Sequence, residues 1–379
     1  MNTLRLKKGK EKPLARKHPW IFSGAFQKID SDLKNGSWVT VENAQGEFVC
    51  CGHFSIGSIA VRVLSYSRKE DIQNFYEEKV LDAYNYRKQL NLPNENTNIY
   101  RLVFGEGDGL AGLIIDYYNQ HVVVQCHSAG MQADLKFIKE ALLALPEEIE
   151  TIYAKSEKEG EFLFGEQDSV IGIENGAQFL INWVEGQKTG FFIDQRENRN
   201  LLKSLSHNKN VLNVFSYTGG FSVYALLGGA RKVVSVDLSQ SAIELANKNA
   251  QLNNAEERHE GHAIDAFDHI KKEAMNYDIV VLDPPAFAKR RNASHNAVQG
   301  YKRLNALTMK KMKKGALLFT FSCSQNISRQ LFNDTIRAAA IEAGRNIRIL
   351  HQLYQPIDHP INIFHPEGEY LKGLVLQVS

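Results

Sequence analysis

Cysteine is scarce in this 379-residue chain: there are four, Cys50, Cys51, Cys126 and Cys323, and none stands in C-x-x-C spacing. That pattern argues against a zinc site or a disulfide framework and fits a reducing, cytoplasmic compartment. No apolar run approaches the ~18–20 residues of a membrane helix, so no membrane partner is expected. The opening MNTLRLKKGKEKPLARKHPWIF has lysines but no apolar stretch, and so does not read as a secretory signal. Net charge is only +2, with 23% charged and 43% hydrophobic residues, which is the balance of a globular protein with sizeable cores. The dinucleotide fingerprint G-x-G-x-x-G is missing at the place where it would be looked for, as described below.

What charge there is lies unevenly. Arg5, Lys7, Lys8, Lys10, Lys12, Arg16 and Lys17 face one nearby acid, Glu11. Such a run is either a solvated terminus or a phosphate-contacting edge, since clustered Lys and Arg are the footprint of nucleic-acid binding. Residues 1–70 read as short β-branched strands, GSWVTVEN, EFVCCGHF and SIAVRVLS, separated by turn signals. Residues 71–184 begin with a helix at 71–92 that stops before Pro93, and continue as a small α+β domain with one helix near 131–145. From 185 to 379 strands alternate with helices, the signature of a doubly wound parallel sheet.

The first strand–turn–helix of that last region is VLNVFSYTGGFSVYALLGGA, residues 211–230. Its glycines let backbone approach a ligand closely, and Asp237 ends the next strand where a carboxylate can take both ribose hydroxyls. After Gly219-Gly220 come Phe, Ser and Val instead of a third glycine, which disfavours a pyrophosphate grip and a nicotinamide dehydrogenase. S-adenosylmethionine, which has no phosphates, fits better. Asp265 at a third strand end suits an adenine amino group. At the fourth, VVLDPPAF places Asp283 before Pro284-Pro285 and Phe287, a rigid, donor-poor turn able to clamp a planar base.

These residues resemble the class I S-adenosylmethionine-dependent ribosomal RNA methyltransferases of the large-subunit methyltransferase I type, which methylate cytosine C5. KHPWIFSGAF, KTGFFIDQRENR, FSYTGGFS, VDLSQSAIELANKNAQLN, DPPAF, FSCS and HPEGEYLKG occur in that family's order along the full length. The resemblance implies a β-barrel PUA RNA-binding domain (1–70), a small α+β central domain (71–184) and a Rossmann-like α/β methyltransferase domain (185–379). It implies cofactor contacts from Arg196, Asn213, Phe215, Tyr217, Thr218, Gly219, Asp237, Leu238, Ser239, Asp265, Ala266 and Asp283. Pro284, Pro285, Phe287, Lys289 and Arg290 are expected at the RNA substrate, and no metal is expected. The partner implied is large-subunit ribosomal RNA; a homodimer is left open.

Cys323 takes its meaning from this resemblance. C5 of cytosine is a poor nucleophile until a thiolate adds to C6, so the FTFSCS strand end is expected to carry the nucleophile, beside Asp283 at the base edge. Two other readings stay open: transfer to a ring or exocyclic nitrogen, as on a guanine, which needs no thiol, and an inactive RNA-binding assembly factor. Cys50, Cys51 and Cys126 are expected to be packing residues, and KKMKK at 310–314 a helix C-terminus. His359 and His365 are expected in loops or at the surface.

Overall fold

The computed structural model describes residues 1–156, 160–287 and 294–379. The chain divides into two compact units, residues 1–172, 181–193 and 357–368 in the first, and 173–180, 194–356 and 369–379 in the second.

The first unit holds two five-stranded sheets. One is made of β1 (Asn2–Arg5), β2 (Trp20–Phe22), β3 (Trp38–Glu42), β4 (Phe48–Phe54) and β5 (Ile59–Ser65), in the order β1-β3-β4-β5-β2. Its β-branched runs alternate, so Val39, Val41, Val61 and Val63 are buried with Leu4, Leu6 and Cys50. The start of the basic segment is therefore not a loose tail: Asn2–Arg5 pairs parallel to β3, and Arg5, Lys7, Lys8, Lys10, Arg16 and Lys17 are exposed. The other sheet comprises β6 (Ile99–Phe104), β7 (Leu113–Tyr118), β8 (His121–Cys126), β9 (Thr151–Lys155) and β10 (Glu161–Phe164), in that spatial order from one edge to the other. The helix Ile72–Gln89 stops as expected before Pro93.

The single helix expected near 131–145 is two, Ala129–Ala133 and Leu135–Leu143. Asp134 separates them because its carboxylate is a buried hub. Oδ2 accepts from Trp38 Nε1 (2.7 Å) and Tyr76 Oη (2.9 Å) and lies 2.9 Å from His53 Nε2. His359 and His365 do lie in a loop, but they are buried, not at the surface: Phe104 packs on the first and Trp20 on the second.

A short hairpin, β11 (Ser169–Glu174) and β12 (Ala177–Asn182), precedes the main sheet of the second unit. That sheet has seven strands: β13 (Asn210–Val214), β14 (Lys232–Asp237), β15 (His259–Ala263), β16 (Ile279–Leu282), β17 (Leu317–Ser322), β18 (Ile347–Leu353) and β19 (Lys372–Val378). Their order is β15-β14-β13-β16-β17-β19-β18, with β19 antiparallel to both neighbours. Leu212, Val214, Val280, Leu282 and Leu318 pack on one face, and Val211, Ile279, Val281, Phe319 and Phe321 on the other. Both faces are covered by helices, which is why these strands read as continuous apolar runs. The chain reverses direction across the sheet between β13 and β16, and the crevice at such a switch point is where α/β sheets bind ligands.

Candidate active site

β13 ends in a turn that its own residues do not favour. Phe215 and Tyr217 are left-handed at φ 60° and 46°, conformations costing on the order of 1–3 kcal/mol each unless the surroundings impose them. Asp237 imposes one. Its Oδ2 accepts from Tyr217 N–H and its Oδ1 from Ser239 N–H, both at 3.0 Å. Each oxygen keeps a second lone pair, so the carboxylate can still accept from a ribose diol. Ser216 N–H donates to Val236 O (3.1 Å), and Thr218 O accepts from the buried Asn249 Nδ2 (2.8 Å).

Gly219 follows at φ 77°, where an added Cβ would stand 2.9 Å from Ala246 Cβ. Gly219→Val should therefore both strain the turn, by roughly 1–2 kcal/mol, and push it from the helix Gln240–Leu252, which carries Ala246. Calorimetry with S-adenosylmethionine should show affinity lowered at least about tenfold. An unchanged affinity would separate this turn from cofactor binding.

The surroundings fit that cofactor. Leu238 is 77% exposed at the end of β14, and Ile264 is 41% exposed just past β15, its N–H bonded to Asp237 O at 3.0 Å. Two apolar side chains left open beside a carboxylate suit a purine ring and its ribose. Ser216 Oγ and Asn213 Oδ1 are buried without a protein partner, acceptors placed for a donor such as an ammonium group. Asn213 Nδ2 donates instead into a chain running Ser222 Oγ (2.9 Å), Ser235 Oγ (2.6 Å) and His259 Nε2 (2.7 Å). Burial pushes His259 down to about 4, so this imidazole is neutral near pH 7. Asp265 is exposed and caps the helix Ala266–Glu273 by accepting from Asp268 N–H (3.1 Å), with Ala266 buried behind it. Ser239 caps Gln240–Leu252 in the same way. Arg196 is buried at the start of Arg196–Leu205, its Nε 3.2 Å from Glu197 Oε1.

β16 and β17 run parallel with Leu282 opposite Thr320, so Asp283 and Cys323 emerge at the same end of neighbouring strands, which lie ~4.8 Å apart. Asp283 is held by residues that sequence reasoning passed over. Gln195 Nε2 donates to Asp283 Oδ2 (3.1 Å), and Asn198 Nδ2 donates to Gln195 Oε1 (2.6 Å). Both amides are buried, at 2% and 3% exposure. The signal was available: in KTGFFIDQRENR, two amides three apart follow an apolar pair, the spacing of one helical face. Pro284 is buried and Pro285 exposed, and the half-buried Phe287 ring meets Tyr301 edge-on at 4.7 Å. Burial pushes the Tyr301 phenol up to about 12, with the negative charges of Cys323 and Asp283 adding to it. Lys289 and Arg290 lie outside the described residues.

Cys323 differs from the other cysteines. Cys50 and Cys51 are buried in β4, and burial pushes Cys50 and Cys126 up to about 12. Cys323 is half-buried just past β17, against the layer that holds Phe321 and Leu371. Lys372, the first residue of β19, pairs with Ser322 and donates from Nζ to Ser324 O at 2.7 Å. Among the described residues no group of three or more His, Cys, Asp or Glu is arranged to hold a metal, and no helix is long and apolar enough to cross a membrane.

Comparison with known proteins places this geometry. A PUA-like domain model matches residues 4–66, and an S-adenosylmethionine-dependent methyltransferase model matches residues 151–360. Over 392 aligned residues the chain is 38% identical to a protein of Aeromonas salmonicida (strain A449) named ribosomal RNA large subunit methyltransferase I, with 98% of each chain covered. The chain belongs to that family. S-adenosylmethionine is accordingly its cofactor, and the turn at 215–219 with Asp237, Leu238 and Asp265 has the chemistry that could hold it. The fold is shared with a solved S-adenosylmethionine-dependent methyltransferase from Streptococcus mutans, at TM-score 0.88 and 23% identity over 100% of both chains. A second solved methyltransferase, with S-adenosylhomocysteine bound, aligns at TM-score 0.89, 23% identity and the same coverage.

Proposed function

We propose that this family member forms 5-methylcytosine in large-subunit ribosomal RNA, with Cys323 as covalent nucleophile and Asp283 at the base edge. The observation that carries the reading is the pairing of a half-buried thiol with an oriented carboxylate just past the ends of adjacent strands, while the protein's other cysteines lie within strands β4 and β8. The relatives' shared name supports the RNA class, and the PUA-like segment with its exposed Arg5, Lys7, Lys8 and Lys10 supports phosphate contacts.

S-adenosylmethionine supplies the electrophilic methyl group. The Cys323 sulfur adds to C6 of a cytosine turned out of its stack, forming a C–S bond and making C5 electron-rich. Asp283 accepts from the exocyclic N4 and delivers a proton at N3, which accommodates the electron pair displaced from the C5–C6 double bond. Once C5 is methylated, its proton passes to solvent water and N3 returns its proton to Asp283, which restores the C5–C6 double bond as the C–S bond breaks and the thiolate leaves.

Nucleoside mass analysis of ribosomal RNA treated with the protein and S-adenosylmethionine is expected to show 5-methylcytidine. A methylated guanosine in its place would transfer the reading to nitrogen chemistry and leave Cys323 without a covalent task.

A further inference from the structure

Lys372 is 2% exposed, yet it ends in a charged group. Burying an ammonium group is costly unless an anion or several acceptors meet it. Its hydrogen bond goes to one backbone carbonyl, Ser324 O at 2.7 Å. The nearest carboxylate influence, Glu369, is engaged elsewhere, with Arg329 at 2.8 Å. Among the described residues, the other group of negative influence on Lys372 is Cys323. Lys372 pairs with Ser322 on one side of that cysteine and bonds the Ser324 carbonyl on the other, so the lysine is anchored to both residues that flank the sulfur-bearing one.

We propose that Lys372 is a positioning residue for Cys323: its ammonium group fixes the 322–324 bend through the Ser324 carbonyl and serves as counter-ion for the neighbouring sulfur. The inference rests on the reading of Cys323 as nucleophile only for its functional meaning; the pairing itself is a property of the folded protein. When the thiol ionises its proton goes to solvent and Lys372 keeps its own, so the new negative charge forms within the field of a retained positive one. A free thiol, with pKa ~8.5, is only a few per cent thiolate at pH 7, and an adjacent lysine raises that fraction.

Among the described residues, Arg329, from the helix Arg329–Ala343, opposes the lysine charge and Glu369 before β19 supports it, while Tyr301, from the helix Ser294–Lys311, feels the charges of both Cys323 and Asp283. Burial lowers Lys372 to about 8, with Cys323 acting in the opposite sense. The lysine is thus charged at pH 7 and loses its proton as the pH rises past about 8.

The test is peptide-resolved alkylation of Cys323 by iodoacetamide in the full-length protein, from pH 6 to pH 10, for wild type, Lys372→Met and Lys372→Arg. Lys372→Met is expected to react about tenfold more slowly at pH 7 and to converge on wild type at high pH, where both thiols are ionised and the wild-type lysine is neutral. Lys372→Arg should restore most of the pH 7 rate. Equal rates at pH 7, or a reduction that is constant at every pH, would overturn the proposal. Methyl transfer by Cys323→Ala is measured in parallel. If that variant stays active while Lys372→Met shows the shifted profile, the nucleophile reading falls and the ion pair stands; the opposite pattern removes the ion pair alone.

Discussion

Cys323→Ala should lower methyl transfer to RNA by about 10⁴-fold or more while S-adenosylmethionine binds as it does to wild type. The expectation follows from what each group must do. Cytosine C5 becomes nucleophilic only after a sulfur occupies C6, and the other cysteines are poor nucleophiles, because Cys50, Cys51 and Cys126 lie within strands β4 and β8 where burial pushes their thiols up. The turn that would hold the cofactor is built by β13, Asp237 and Asn249, none of which depends on the thiol. Replacing one half-buried sulfur by hydrogen removes little packed volume, so stability should change by no more than about 1–2 kcal/mol. Transfer of labelled methyl groups gives the first quantity and calorimetry the second. Wild-type turnover in the variant would end the covalent mechanism.

Asp283→Asn is expected to reduce kcat by about 10²–10³-fold, the range associated with losing a positioned proton donor or acceptor. The amide has nearly the carboxylate's shape and can keep the Gln195 contact, so the loss measures proton handling more than local collapse. Rapid-quench kinetics should show kcat falling with KM for S-adenosylmethionine changed no more than about threefold. If KM for the cofactor rose instead and kcat held, Asp283 would be a cofactor ligand and not the group that reads the base.

Much of this architecture was legible because parallel strands buried on both faces write themselves as unbroken apolar runs. Val233–Val236 and Ile279–Leu282 could be nothing else, and their C-terminal Asp237 and Asp283 followed. Exposure obscured β18: its residues 348–352 face solvent, so Ile349 at 54% and Leu350 at 45% exposure gave no buried face to read. Asp134 interrupts what its neighbours' periodicity presents as one helix because its three partners, Trp38, His53 and Tyr76, are at least 58 residues away in sequence. Lys372 was hidden for the same reason: it is an ordinary polar residue in its own segment, and acquires a role only when strand pairing brings it beside the Cys323 segment.

The antiparallel strand β19 lies between β17 and β18, and so it is an interior strand supplied after both of its neighbours have been synthesised. Until residues 372–378 emerge, β17 presents an unsatisfied edge of Leu317–Ser322 next to the segment that bears the thiol. Strand pairings of this kind form late and expose apolar surface while they wait. Activity should therefore appear abruptly during biosynthesis, with the closing of one hairpin, and a nascent chain stalled before it would be a sticky, inert species with its cofactor lobe already folded.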